Sequence, residues 1–220
     1  MNEQQAIKAV AQSARSIDEE HFSVPLGGWP DQIGMALIDA VYSIRASYHA
    51  KSPTKGVLNR ARAFREKYPE SANDLQQIRD VGKEAIRNVM GNGKSSGRHK
   101  SVCLVEAADN LLSLDPPVRN ARQLKALDPN HKRAYTSVRG LGWVTYEYFT
   151  MLLGQPGIKA DTMIRRFVDT ALEKEGLPPV DTHTARRIVE AAHAQERPAM
   201  GLSAFDHAIW LHQRTVSQQR

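Results

Sequence analysis

Residues 138–168 read VRGLGWVTYEYFTMLLGQPGIKADTMIRRFV, and the order of turn, apolar and acidic residues in this stretch decides the fold. Gly140-Leu141-Gly142 is a tight turn. Two glycines two apart let the backbone take positive φ, and their missing side chains let a large partner approach the exposed N–H groups. An apolar helix follows from Trp143, Gly154-Gln155-Pro156-Gly157 breaks it, and a single acid, Asp161, then opens a helix bearing Arg165 and Arg166. A phosphate suits such a turn, because its amides and the first turn of the next helix present unpaired donors and a favourable dipole. Asp161 before Thr-Met-Ile-Arg-Arg is in any case an ordinary N-cap, worth about 1 kcal/mol.

Outward from this stretch the apolar spacing predicts helices almost throughout. The spacing gives helices over residues 3–16 and 32–49, one from Ser52-Pro53-Thr54 to about Lys67, and one or two short ones around Gly82 between Ser71 and Met90. Further helices cover 101–114 and 121–127, one opens at Pro129, one follows Asp161 to about Lys174, and the last two cover 182–196 and about 203–216. Pro25, Gly27, Gly28 and Pro30 mark a lobe boundary. Residues 91–100, GNGKSSGRHK, read as a mobile basic loop whose Lys94, Arg98, His99 and Lys100 suit a phosphate backbone. With no alternating β-branched run, internal repeat or heptad series, the fold class is all-α.

Charge and cysteine content narrow the function classes. A chain of 220 residues buries one sizeable core or two small lobes. Its formal charge of +6 has the sign a nucleic-acid partner requires. Cys103 is the only cysteine, which excludes an internal disulfide, a Cys-based zinc site and a four-cysteine iron–sulfur cluster. Eight histidines form no recognisable ligand pattern, so no metal site is expected. No window approaches the roughly 18 apolar residues of a transmembrane helix, and the first residues lack a signal peptide's apolar core. A cytoplasmic location is expected, nucleoid-associated in a bacterium or nuclear where there is a nucleus, with no membrane partner.

The 138–168 segment resembles the helix-hairpin-helix, Gly/Pro-Asp (HhH-GPD) superfamily of DNA glycosylases, of which endonuclease III is the best-known member. WPDQIGMALIDAVYSIRASY is similar to that family's first barrel helix, with Arg45 where relatives carry a glutamine that wedges into the duplex. HKSVCLVEAADNLL resembles the helix after the basic loop, with Lys100 in the usual place, and FDHAIWLHQRTV looks like the closing helix without its cysteines. The similarity covers most of the chain in the family's order, and its specific motifs lie in 138–168.

The resemblance implies a two-lobe all-α protein: a six-helix barrel over 30–156 containing the hairpin, and a second lobe from 1–29 together with 157–220. Double-stranded DNA would lie across the cleft between them, bound by a monomer. Asp161 matches the catalytic aspartate, which positions a water or stabilises the cationic sugar formed as the base leaves. The target base is first rotated out of the stack. Gly140, Leu141, Gly142, Arg45, Arg139, Lys100 and Arg165 would contact DNA, and Trp143 and Tyr146 would line the base pocket. No cofactor is implied beyond a monovalent cation at the hairpin carbonyls.

Three departures shape the expected reaction. Bifunctional members carry a lysine two residues after the hairpin's second glycine, where its amine attacks the sugar; here Val144 occupies that place. Trp143 replaces a frequent basic residue, and the distance from Val144 to Asp161 is one residue short of the endonuclease III pattern. The expected activity is therefore that of a monofunctional glycosylase, which excises a damaged or modified base and leaves an abasic site, unless another amine such as Lys159 reaches the sugar. The alternative is a non-catalytic DNA- or RNA-binding module, a sensor or a subunit of a DNA modification or defence system.

Overall fold

Every residue of helix α3, Ile33–Tyr42 (IGMALIDAVY), is buried, and a helix apolar all round belongs at the centre of its unit. The protein's structure, a computed structural model, describes residues 2–218. Helices α4 (Val57–Lys67), α5 (Leu75–Met90), α6 (Lys100–Leu112) and α8 (Trp143–Leu152) all pack on α3, and α7 (Pro129–Thr136) packs on α6 and α8. These helices form a compact central unit, Gly28–Gln155. Its core includes Phe64, Leu75, Ile78, Ile86, Leu104, Tyr135 and Phe149.

A terminal unit, Met1–Gly27 with Pro156–Arg220, holds α1 (Glu3–Arg15), α2 (Glu19–Phe22), α9 (Thr162–Lys174), α10 (Thr182–Glu196) and α11 (Leu202–Gln218). Its helices are one-sided. The apolar stripe of α9 is Ile164, Phe167, Val168, Ala171 and Leu172, and that of α10 is Ala185, Ile188, Val189 and Ala192, the three- and four-residue steps of a helix face. Side chains of Asn2, Asp18, Asp161 and Asp181 cap four of these helices, accepting N–H groups that have no partner within the helix.

The chain divides at two glycine- and proline-rich stretches, 25–30 and 154–157. Within the central unit these ends are tied together. Trp29 N–H donates to the Leu152 carbonyl at 2.7 Å. Gly28, at φ +146°, passes so near that a Cβ would stand 3.0 Å from the same oxygen.

Helix dominates, and the only strands among the described residues are a two-residue antiparallel pair, β1 (Lys94–Ser95) and β2 (Arg98–His99). The expected mobile loop is thus a hairpin, turned at Ser96 (φ +49°) and Gly97 (φ +81°). Other boundaries also move. Helix α3 stops at Tyr42 instead of continuing to 49, because Lys100 Nζ takes the carbonyls of Tyr42 and Ile44 and Arg45 turns left-handed at φ +48°. Helix α4 starts at Val57, after Gly56 at φ +79°. The expected helix 121–127 is a single 3₁₀ turn, Ala121–Gln123. Gly82, at φ +78°, kinks α5 where one or two short helices were expected.

Candidate nucleic-acid interface

Between α7 and α8 the Leu141 N–H donates to Val138 O at 3.0 Å, closing the turn, while Gly140 takes φ +103°. The Leu141 side chain turns into the core and Gly142 stays exposed. One apolar side chain thus pins the turn and leaves its backbone at the surface. A second support comes from the β-hairpin. Ser95 Oγ donates to the Gly140 carbonyl at 2.7 Å, and a Cβ on Gly140 would stand 3.1 Å from both Ser95 O and Ser95 Oγ. Glycine is required here twice over, by its φ and by this approach.

The donors of the turn can be counted individually. Gly142, the N-cap of α8, has no side chain with which to cap it. Thr145 Oγ1 instead accepts the Gly142 N–H at 3.0 Å and donates back to the Gly142 carbonyl at 2.7 Å. The N–H groups of Gly140 and Val144 have no partner among the described residues. Two open amides at the positive end of a helix make an anion-attracting surface. Arg139, Lys132 and Arg133 are exposed on the preceding segment. Of the hairpin carbonyls, those of Val138, Gly140 and Gly142 already accept hydrogen bonds. A monovalent cation would compete with these, and nothing below depends on one.

Two expected contacts change role. Lys100 is 3% exposed; its Nζ donates to Tyr42 O at 2.9 Å and Ile44 O at 2.5 Å, so it closes the end of α3 and is not an exposed contact for a DNA backbone. Tyr146 is buried against Tyr135 and Phe149, and its hydroxyl donates to Ala126 O at 3.2 Å. It is a core residue, because it lies on the face of α8 turned towards α7. Trp143 is half-buried, and Arg45 is exposed on the loop after α3. Arg98 is tied to Glu106 by an ion pair, which leaves Lys94 as the exposed cation of the β-hairpin.

The structure also contains a polar centre that sequence reading missed. Asp39, wholly buried on α3, accepts from Trp29 Nε1 at 2.8 Å, Tyr48 Oη at 2.7 Å, Ser43 Oγ at 2.9 Å and Tyr148 Oη at 3.4 Å. Burial raises the pKa of both tyrosines, and the Asp39 charge raises them further, so both stay protonated as donors. This carboxylate anchors the loop that displays Arg45. The available signal was one acid inside an otherwise apolar helix.

In the terminal unit, Asp161 caps α9. Its Oδ1 accepts from Met163 N at 2.8 Å and Ile164 N at 3.4 Å, while Oδ2 lies 3.9 Å from Lys159 Nζ. Its side chain is 26% exposed. Lys159 is itself positioned by its N–H, which donates to buried Asp206 at 3.0 Å. Arg165 pairs with Asp169 at 3.7 Å, one turn on.

The family described as "Domain of unknown function (DUF8548)" matches residues 5–214. The chain belongs to this family. The DUF8548 match spans both units, so the glycine turn and the Asp161 cap are parts of one family domain. No curated protein matches the chain. Among the described residues no helix is long and apolar enough to cross a membrane, and no group of three or more His, Cys, Asp or Glu side chains is placed to hold a metal ion.

Proposed function

We propose that this DUF8548 chain is a monofunctional DNA glycosylase of the HhH-GPD type, which binds double-stranded DNA through the Val138–Val144 turn and excises a base using Asp161. The observation that carries the reading is the turn itself: Gly140 left-handed, Gly142 exposed, and the amides of Gly140 and Val144 open at the start of α8. A backbone phosphate supplies the anion that such amides attract. Arg139 adds charge beside the turn. Arg45, on a loop braced by Asp39, fills the gap left by a flipped base.

The chemistry falls to Asp161. As the base departs the sugar becomes cationic, and a carboxylate held in place lowers that barrier without having to reorganise. Oδ1 is occupied by the cap, so Oδ2 is the oxygen that faces the sugar or its attacking water. Val144 offers no amine, hence the strand stays intact at the abasic site. The same cap favours the second reading, a DNA- or RNA-binding module without turnover, since two hydrogen bonds to Oδ1 already give Asp161 a structural purpose.

A single-turnover assay on duplexes carrying one altered base each, scored for strand breakage before and after hot alkali, separates the two. Asp161→Asn is the control, because asparagine caps a helix about as well as aspartate. Breakage only after alkali, lost in Asp161→Asn, is expected. Binding to duplexes with no breakage on any base supports the module. If the Asn variant breaks strands at the wild-type rate, the role given to Asp161 is wrong. Binding itself should weaken steeply with salt and in Gly140→Val; salt-independent binding would remove both readings.

A further inference from the structure

Below the loop that follows α3 lies a half-open cavity of about 220 Å³ lined by Tyr42, Ser47, Val57, Arg60, Met90 and Lys100, among others. Two cations face it and no acid lines it. Lys100 is almost wholly buried, and among the described residues it pairs with no carboxylate; its partners are the carbonyls of Tyr42 and Ile44. Among the described residues Arg60 is likewise engaged by carbonyls, Nε donating to Thr54 O at 2.9 Å and Nη1 to Met90 O at 2.8 Å. Its guanidinium fits where it does because Gly91 has no side chain: a Cβ there would stand 2.1 Å from Nη1.

A buried charge is ordinarily neutralised by an opposite charge; buried Lys100 is not, and its neighbour across the cavity is a second cation, the half-buried Arg60. An ammonium has three protons and a guanidinium five, so after their carbonyl bonds each cation keeps donors to spare. The Tyr42 ring adds a π face beside the ammonium, Lys100 Nζ standing 5.9 Å from its centroid. Ser47 stands exposed at the rim.

We propose that this cavity binds a phosphate-sized anion, inorganic phosphate or the phosphomonoester of a small metabolite, held by Lys100 and Arg60. The volume admits one such group and little more; ligands of drug size occupy roughly 300–1,000 Å³. The ligand supplies the charge that the pair lacks. Burial lowers the Lys100 pKa, and a bound anion opposes that shift. The site does not rest on the nucleic-acid reading of the Val138–Val144 turn, and it uses none of the residues assigned there to DNA or catalysis.

The test is calorimetric titration of the full chain with inorganic phosphate and with a nucleoside 5′-monophosphate, ionic strength being matched with sodium chloride. Saturable binding of one phosphate is expected. Arg60→Gln removes a charge-assisted contact and should weaken it about tenfold or more. Ser47→Trp, which closes the mouth and leaves both cations in place, should do the same, while Gly140→Val should not. Circular dichroism confirms that each variant is folded. A monophosphate binding much more tightly than phosphate would identify a phosphomonoester ligand; equal affinities would identify free phosphate. The proposal falls if no saturable heat appears, if Arg60→Gln and Ser47→Trp both bind like wild type, or if Gly140→Val alone abolishes binding, which would assign the anion to the turn.

Discussion

The central unit gathers neutral donors around one wholly buried carboxylate, whereas the terminal unit, apart from buried side chains such as Asp206 and Gln213, makes its polar contacts at helix ends and on its surface. Around Asp39, four neutral donors from Trp29, Ser43, Tyr48 and Tyr148 close on one carboxylate at the centre of the 28–155 unit. In the terminal unit the polar work is done by caps such as Asp161 and Asp181 and by exposed pairs: Arg15 with Glu196, Arg187 with Glu3, and Arg197 with Glu19. The first arrangement is costly to disturb, because a buried donor that loses its acceptor cannot turn to water. The second is forgiving. The candidate anion-binding turn is carried by the central unit, and the candidate catalytic acid by the terminal unit.

The largest test of this contrast is alkali. All six tyrosines lie between residues 42 and 148, and burial raises the pKa of Tyr42, Tyr48, Tyr135, Tyr146 and Tyr148. Above about pH 10 an unfolded tyrosine loses its proton while these five keep theirs. The unfolded state then binds fewer protons, and stability falls as pH rises, by up to about 1.4 kcal/mol per pH unit for each tyrosine. Hydrogen exchange should show peptides of 28–155 opening before those of 156–218. Simultaneous opening, or earlier loss of the terminal unit, would break the comparison.

Next in size is Asp39→Ala, which strands four buried or half-buried donors and should cost about 3–5 kcal/mol by denaturant unfolding, given about 1–3 kcal/mol for each unsatisfied group and some repair by water. Asp39→Asn keeps an acceptor and should cost less. A loss below about 1 kcal/mol on truncation to alanine would mean that the network contributes little.

A smaller effect is expected for Asp161→Ala, about 1 kcal/mol, the usual worth of one N-cap, seen as faster exchange in the first turn of α9. A much larger loss would show that Asp161 braces more than its own helix. Smallest of all is the response to salt. The three exposed pairs are screened by added electrolyte, so raising sodium chloride should lower the melting temperature of the terminal unit only slightly and leave the Asp39 network unchanged. A strong salt effect on 28–155 would contradict the division drawn here.

The terminal unit was largely legible in the sequence. The helices read from Asp161 to Lys174 and over 182–196 match α9 and α10, because a cap, an apolar stripe and a break are local signals. The break around Gly82 was read as well, as one or two short helices, where the structure has one kinked helix. In the central unit the readings failed where distant residues intervene. Helix α3 looks able to run to 49, and it stops at Tyr42 because Lys100, 58 residues away, captures its last carbonyls. Lys100 and Tyr146 carry the residue types of surface contacts, yet the packing of α6 against α3 and of α8 against α7 turns them inward.

By itself the sequence determined the all-α class, the positions of most helices, the glycine turn at 140–142 and the acid that opens α9, since each depends on residues a few steps apart whose φ preferences, caps and apolar spacing act locally. Only the tertiary structure decided that Ser95 buttresses Gly140 across 45 residues and that Tyr148 reaches Asp39 across 109. It also decided that Lys100 and Arg60 share one cavity without an acid. These outcomes depend on which side chains meet after the helices pack, and helical periodicity specifies only which face of a helix is buried, not what it meets there.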